Sequence, residues 1–372
     1  MRLLKCILFV SILFACKESN AQKQFSAVLQ FPSHVNTRQI SLFYDDGKND
    51  NIDLKADFIN HKATISKPFH SKYATIMIAY QGKSARFWIG TSPANITFSA
   101  TDSASHPLQH FKLTNAFAIE EMAGAKEIKE YTVSETKALE NFKEGNKQWF
   151  RQDSLIALYE EKSRDLSAKR IDFVKNNGDS YYSFWLFRRE LVYADYNIDS
   201  LIKIYKNSFP DSLKNSFEGT EILKRLTGRN IKKNVKAVDF IATDVTGKTV
   251  SLQDYREKHL LLTFWASWCV PCVEEIPAIK TIRNQYPTDK LEIIFVTLDA
   301  DSVKFSNAVK KYELNWTHIF NDIEILKKYG VLGIPQVYLI DASGTVVYSR
   351  AEENDQKLDS LSRLLSERIK IQ

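Results

Sequence analysis

The chain has 372 residues, of which 44% are hydrophobic and 26% are charged, a composition typical of folded domains rather than of disordered or fibrous proteins. This length predicts two or three domains. The formal net charge is only +6, and no basic run is combined with a nucleic-acid-binding motif, so no nucleic-acid partner is indicated.

The chain starts with a basic residue and an apolar run, which ends in a small residue and a cysteine. Residues 1–15 are shorter than the ~20 residues of a membrane-spanning helix, and they predict a secretory signal peptide. Leu13–Cys16 resembles a bacterial lipoprotein cleavage box, after which Cys16 would become the lipid-bearing N-terminus. The alternative is a plain signal peptide that is cut near Ala21. Both interpretations predict an extracytoplasmic location.

Residues 24–115 predict a small all-β domain, either a sandwich or a barrel. The alternation of apolar and charged residues over Ile52–Phe58 is typical of a half-buried strand. Turn signals such as Asp45–Gly47 and Ser92–Pro93 separate further strand-like runs. These runs are Phe25–Phe31, Gln39–Tyr44, Tyr73–Tyr80, Arg86–Ile89, Asn95–Ala100 and Gln109–Leu113.

Residues 116–234 predict a helical middle region, because Glu, Lys and Ala become more frequent and the strand pattern disappears. Apolar residues at helical spacing over Leu155–Phe173 predict an amphipathic helix that ends at Asn176–Gly178. The aromatic segment Tyr181–Tyr193 predicts a buried helix. The basic run Arg225–Lys236 is interpreted as a linker with a solvated helix end, rather than as a site for an anionic partner.

Two cysteines separated by two residues follow the apolar run Leu260–Ala266. Cys269 and Cys272 lie where a buried strand is expected to turn into a helix, which is typical of a redox dithiol. The N-terminus of that helix has free N–H groups and positive dipole character, which favour a thiolate on the first cysteine. The other two cysteines lie in the first sixteen residues, and no downstream histidines have the spacing of zinc ligands. We therefore expect neither a metal nor a cofactor.

The segment from about Val235 to the C-terminus contains a short hairpin, a strand that leads into the CxxC motif, and a Gly-Ile-Pro loop before the next apolar strand. These motifs are Asp239–Leu252, Phe264–Cys272 and Gly333–Pro335. They resemble the TlpA/ResA-like branch of the thioredoxin-fold thiol-disulfide oxidoreductases. The resemblance implies a thioredoxin-like α/β domain over residues 235–372, preceded by a β-domain of the kind that is often fused to Bacteroidetes members.

The resemblance also implies roles for individual residues. Cys269 is expected to be the partly exposed attacking thiolate and Cys272 the deeper resolving thiol, with the pair forming the redox-active disulfide. Pro335 is expected to follow a cis peptide bond, and the alternative is an ordinary trans turn proline. Trp268 and Ile334 are expected to form an apolar platform for the substrate, although Trp268 fits core filling equally well.

The sequence departs from the family pattern at three positions. Thr263 stands where cytoplasmic thioredoxins have a buried aspartate, so the handling of protons is expected to fall to Glu275, on the helix face of Cys272. The alternative for Glu275 is an exposed first-turn carboxylate that the helix dipole stabilises. Val238 replaces the usual proline at the domain entry, and Val270–Pro271 replaces Gly-Pro between the cysteines.

Together these observations predict an extracytoplasmic enzyme that reduces disulfides in partner proteins by dithiol exchange. Its partners would be disulfide- or thiol-bearing proteins and a membrane electron donor, with a lipid anchor through Cys16. The two regions before the redox domain are candidates for positioning the dithiol, holding a partner or forming a homodimer. The alternative function is a surface or periplasmic binding protein whose β-domain binds a partner, with redox chemistry secondary.

Overall fold

The computed structural model describes most of the chain, namely residues 23–50, 52–99, 106–149, 152–194 and 196–370. The chain divides into two compact units, residues 1–126 and residues 127–372. Within the described ranges we find no helix whose length and hydropathy would allow it to cross a lipid bilayer.

The first unit is a β-sandwich of two sheets with the strand orders β4-β1-β7-β8 and β3-β2-β5-β6-β9. The strands are β1 (Lys23–Gln30), β2 (Ser41–Asp45), β3 (Ile52–Asp53), β4 (Lys62–Phe69), β5 (Ala74–Tyr80), β6 (Lys83–Ile89), β7 (Ala94–Phe98), β8 (Phe111–Thr114) and β9 (Ala116–Ala118). The two sheets share one apolar core, in which the Phe87 ring of β6 lies 5.2 Å from the Phe111 ring of β8. The predicted all-β fold is confirmed.

Three predictions in this unit need correction. Residues 116–118, which begin the predicted helical region, form strand β9 and pair with β6. The alternation over Ile52–Phe58 forms a strand only at Ile52–Asp53, because β3 pairs with just two residues of β2. Strand β4 is absent from the predicted strands, yet it pairs with β1 along its whole length. The sequence does not show a clear strand pattern here, because β4 contains several polar residues and Pro68. Proline is tolerated in β4 because it is an edge strand.

Helices follow the sandwich along the chain, as the composition of the middle region predicts. They are α1 (Ala123–Tyr131), α2 (Val133–Gly145), α3 (Asp153–Asn176), α4 (Tyr181–Leu186), α5 (Ile198–Ser208), α6 (Asp211–Lys214) and α7 (Phe217–Arg229). Helix α3 is the predicted amphipathic helix, and it ends where the N–H of Asn177 donates to the Phe173 carbonyl at 3.0 Å. Helix α4 continues into a π turn, Phe187–Leu191, and both pieces are largely buried, as the aromatic content predicts.

The C-terminal domain is a thioredoxin-like sheet with helices on both faces, as predicted. Its strands are β10 (Ile241–Thr243), β11 (Thr249–Ser251), β12 (His259–Trp265), β13 (Leu291–Thr297), β14 (Thr317–Phe320), β15 (Gln336–Ile340) and β16 (Val346–Ser349). Its helices are α8 (Val270–Gln285), α9 (Ser302–Lys311), α10 (Ile323–Lys328), α11 (Arg350–Glu353) and α12 (Asp359–Arg368). The main sheet has the order β14-β13-β12-β15-β16. Strands β12, β13 and β14 are parallel to one another, whereas β15 is antiparallel to both of its neighbours, β12 and β16.

Helix α7 approaches the C-terminal end of α10 so closely that only glycine fits at the contact. A Cβ on Gly228 would lie 2.2 Å from the Lys327 carbonyl oxygen, and a Cβ on Gly330 would lie 2.2 Å from the Arg229 nitrogen. The buried Lys327 ammonium donates to Glu221 Oε2 of α7 at 3.1 Å. Close packing and a buried ion pair therefore join α7 to the C-terminal domain.

The start of the basic run is not the solvated linker that the sequence predicts. Arg225 is buried within α7, and the Arg229 guanidinium donates to the carbonyls of Val192 and Ala194 at 2.5 and 2.9 Å. Arginine can occupy a buried position because its N–H groups donate to backbone carbonyls, while its alkyl chain packs against apolar neighbours. Only the residues after Arg229 leave the helix.

We expect Gly228→Ala to destabilise the protein by roughly 1–3 kcal/mol, because the added methyl group would force α7 and α10 apart. Urea denaturation followed by circular dichroism measures this change. Gly145→Ala is the control, since an added Cβ there meets nothing within 4 Å. Equal unfolding midpoints for the two variants would contradict the tight contact.

Candidate active site

Strand β12 leads both cysteines into the first turn of helix α8. Cys269 is the N-cap residue of α8, and its Sγ accepts a hydrogen bond from the Cys272 N–H at 3.3 Å. The two sulfur atoms form a disulfide, with the Cα atoms 5.3 Å apart. Pro271 lies in the first helical turn, where its missing N–H costs no intrahelical hydrogen bond.

Both cysteines are buried in the disulfide form, so the expectation that Cys269 is partly exposed is wrong for this state. Cys269 is 5% exposed and Cys272 is 4% exposed, because both sulfur atoms pack into the core between α8 and the sheet. The neighbouring side chains are the accessible ones, with Trp268 64% and Val270 66% exposed. Trp268 is therefore not a core residue, and it lies next to the disulfide in the chain as exposed apolar surface.

A buried carboxylate outside the CxxC motif fixes the segment that leads to Cys269. Asp299 accepts hydrogen bonds from the Ser267 N–H at 2.9 Å, from the Ser267 hydroxyl at 2.6 Å and from the Thr297 hydroxyl at 2.6 Å. These bonds compensate for the burial of a charged group that is only 2% exposed. Asp299 lies 32 residues after Ser267, and no local pattern in the sequence signals this contact.

Glu275 is a buried carboxyl group with only one of its oxygens bonded. It is 5% exposed, and its Oε1 accepts from Arg350 Nε at 2.6 Å, whereas its Oε2 has no hydrogen-bond partner among the described residues. Burial raises the pKa of Glu275, and the Arg350 guanidinium opposes that shift. The alternative of an exposed first-turn carboxylate is therefore wrong. A raised pKa is a property that suits a carboxyl group to proton exchange near neutral pH.

Glu275 and Pro335 line one cleft, which we call the active-site cleft. The Ile334–Pro335 peptide bond is cis, as the Gly-Ile-Pro context predicts. The cleft has a volume of about 680 Å³, and Ile334 and Arg350 also line it. Pro271, which lies between the two cysteines, forms part of the same wall, so the cleft connects the CxxC motif with the cis-proline loop.

The remaining predicted positions differ in what they contribute. Thr263 is 2% exposed, and its hydroxyl has no hydrogen-bond partner within the described ranges. A threonine has no group that titrates near neutral pH, so it cannot replace the aspartate of cytoplasmic thioredoxins. Cys16 and residues 1–15 lie outside the described residues. Asp299 and Arg350 are the site residues that the sequence reasoning missed.

Comparison with known proteins identifies the C-terminal domain. Residues 232–365 match the Redoxin family. The thiol-disulfide oxidoreductase ResA of Bacillus thuringiensis is 34% identical over 126 residues, which are 33% of this chain and 73% of the relative. This chain belongs to the ResA-like thiol-disulfide oxidoreductases. It is therefore an oxidoreductase, and the family match begins three residues after the last residue of α7.

Two further proteins resemble the same part of this oxidoreductase. The thioredoxin-like protein YneN of Bacillus subtilis is 30% identical over 137 residues, which are 35% of this chain and 80% of the relative. The thioredoxin domain of a thiol-disulfide oxidoreductase from Bacteroides vulgatus aligns over 36% of this chain and 99% of its own length. Its sequence identity is 23% and its TM-score is 0.33.

We expect Arg350→Met to raise the pKa of Glu275 further, because the Arg350 guanidinium opposes the upward shift that burial causes. Carbon NMR titration of the Glu275 carboxyl group measures the change. Arg363→Met is the matched control, since Arg363 is an exposed residue of α12 that is not in the cleft. A Glu275 pKa that stays unchanged or falls in Arg350→Met would contradict the electrostatic role of Arg350.

Proposed function

We propose that this oxidoreductase reduces disulfides in partner proteins outside the cytoplasm, with Cys269 as the attacking thiolate and Cys272 as the resolving thiol. The observation that carries the proposal is the position of the cysteine pair at the N-terminus of α8, beside a cleft that the buried Glu275 and the cis-Pro335 share. In this proposal Cys269 is the nucleophile, Glu275 is the proton acceptor, and Pro335 forms part of the wall for a substrate chain.

In the first step, the Cys269 thiolate attacks one sulfur of the partner's disulfide. A mixed disulfide forms, the partner's S–S bond breaks, and its other sulfur leaves as a thiolate that takes up a proton. The Cys272 N–H, which lies 3.3 Å from Cys269 Sγ in the disulfide, is placed to stabilise the Cys269 thiolate in the reduced form. The N-terminus of α8 adds positive dipole character, which lowers the pKa of a thiol at this position.

In the second step, Cys272 loses its proton and attacks Cys269 in the mixed disulfide. The Cys269–Cys272 disulfide forms, the partner's cysteine leaves as a thiolate, and two electrons have passed from the dithiol to the partner. Glu275 accepts the Cys272 proton directly or through one water molecule. Its pKa, which burial raises, brings the proton affinity of the carboxylate closer to that of a thiol, and this favours the transfer.

The partner would present its cysteine on an extended segment that lies against the cis-proline loop. Strand addition of this kind supplies backbone hydrogen bonds, and side-chain pockets then supply specificity. Trp268 is exposed, and Ile334 is partly buried beside Pro335, so both offer apolar contact area. We assign these two residues to the substrate platform.

The leader sequence supports a location in the cell envelope, with Cys16 carrying the lipid. Of the four cysteines, only Cys269 and Cys272 would then remain as thiols, which prevents wrong pairing in an oxidising compartment. Each catalytic cycle leaves the pair oxidised, and cytoplasmic reductants cannot reach it there. A membrane protein that passes electrons to the Cys269–Cys272 disulfide is therefore a required partner.

Trapping of mixed disulfides tests the assignment of the two cysteines. We expect reduced Cys272→Ser to accumulate a stable mixed disulfide with disulfide-bearing envelope proteins, because no thiol remains to resolve it. Cys269→Ser should trap none, since it lacks the attacking sulfur. Non-reducing gel electrophoresis with mass spectrometry measures the adducts. Equal trapping by both variants, or by neither, would overturn the assignment.

Labelling with radioactive palmitate tests the anchor. We expect the label to enter the wild type but not Cys16→Ala, because Cys16 is the only cysteine at the predicted cleavage box. Cys6→Ala is the control, since Cys6 would leave with the signal peptide and its loss should not reduce labelling. A wild type that takes up no label would indicate a secreted form without a lipid anchor.

A further inference from the structure

A second cleft adjoins the active-site cleft, and the helical region forms one of its walls. We call it the helical-side cleft. It has a volume of about 570 Å³, and it shares Ile334, Pro335 and Arg350 with the active-site cleft. Its other walls come from the segment after α7, which includes Lys232, and from Glu352 of α11. The cis-proline therefore lies between two connected clefts.

The wall from the helical region is held firmly in place. Gly228 and Gly330 bring the end of α7 and the start of the cis-proline loop into backbone contact, where an added Cβ would lie 2.2 Å from a neighbouring backbone atom at either position. Ile231, just after α7, is buried in the same apolar core as Phe240 and Tyr329 of the C-terminal domain. The helical-side cleft is therefore a fixed feature of this unit.

The charges that line the helical-side cleft are unbalanced in favour of positive charge. Lys232 is exposed, and its side-chain ammonium forms no hydrogen bond or ion pair within the part of the chain that the structure describes. Arg350 uses its Nε for Glu275, at 2.6 Å. The acidic side chain of this lining, Glu352, already accepts from the Lys233 N–H at 2.7 Å. The cleft therefore matches a negatively charged group.

We propose that the helical-side cleft binds the substrate segment where it continues past Pro335, and that it selects an acidic side chain through Lys232 and Arg350. This inference rests on the proposed function, because it needs a substrate chain that lies along the cis-proline loop. An extended chain advances ~3.3 Å per residue, so a side chain two or three positions from the reacting cysteine lies ~7–10 Å further along the chain, and we place it in this cleft. Residues 229–231, which precede the Redoxin match, form the adjoining wall of this cleft, while Lys232 and Arg350 lie within the match.

Peptidyl pyridyl disulfides test the inference with the full-length protein in its reduced form. Three peptides carry Glu, Gln or Lys two or three positions from the cysteine, on either side. In a single turnover, the Cys269–Cys272 dithiol becomes a disulfide, while the peptide thiol and pyridine-2-thione are released, and absorbance follows the thione. Dipyridyl disulfide, which has no peptide, is the reference substrate for the redox chemistry itself.

We expect the wild type to reduce the Glu peptide about two- to five-fold faster than the Lys peptide at low salt, with the difference shrinking at high salt. Lys232→Glu should invert this ratio. Lys304→Gln should keep it, because Lys304 is an exposed residue of α9 that lines neither cleft.

The outcomes separate the two proposals. Equal rates for all three peptides, together with normal reduction of dipyridyl disulfide, would overturn the helical-side cleft as a selective site and leave the proposed function intact. The same would follow from a preference for the Glu peptide that Lys232→Glu does not change. A reduced wild type that fails to reduce dipyridyl disulfide would overturn both.

Discussion

The central position of strand β12 in the C-terminal sheet is the constraint on which the active site depends. Strand β12 runs parallel to β13 and antiparallel to β15. Its carboxyl end therefore lies beside the carboxyl end of β13 and the amino end of β15. Cys269 follows the end of β12, Asp299 follows the end of β13, and Pro335 directly precedes β15. All three residues therefore lie at the same end of the sheet, although Cys269 and Pro335 are 66 residues apart in the sequence.

The electrostatics of the site depend on two opposing influences on one carboxyl group. Burial raises the pKa of Glu275 and so favours its protonated form, which cannot accept a proton from a thiol. Full exposure would give it an ordinary low pKa, which makes it a weak base. Arg350 holds the pKa of Glu275 between these two limits, because its Nε donates a hydrogen bond to Glu275. The Arg350 side chain itself remains 18% exposed. The proton affinity of Glu275 therefore depends on its burial and on Arg350, which also lines the cleft.

The sequence predicts those parts of the site that local spacing encodes. The CxxC pair, the placement of Glu275 three residues later and the cis bond before Pro335 all depend on patterns within a few residues, and the structure contains each of them. The partners of these residues come from far along the chain, since Arg350 lies 75 residues after Glu275. The burial of Cys269 also escaped prediction, because it depends on how the whole of α8 packs on the sheet.

The boundary of the family match in the sequence differs from the boundary that packing defines. The Redoxin match begins at residue 232. Gly228 of α7, which precedes the match, is nevertheless in backbone contact with Lys327 and Lys328 at the end of α10. The loop from Gly330 to Pro335 is therefore held by α7 at one end and by β15 at the other. Because the cis-proline belongs to this loop, α7 restrains an active-site element from outside the matched segment. A chain shortened to the matched residues would lose that restraint while keeping every residue of the CxxC motif.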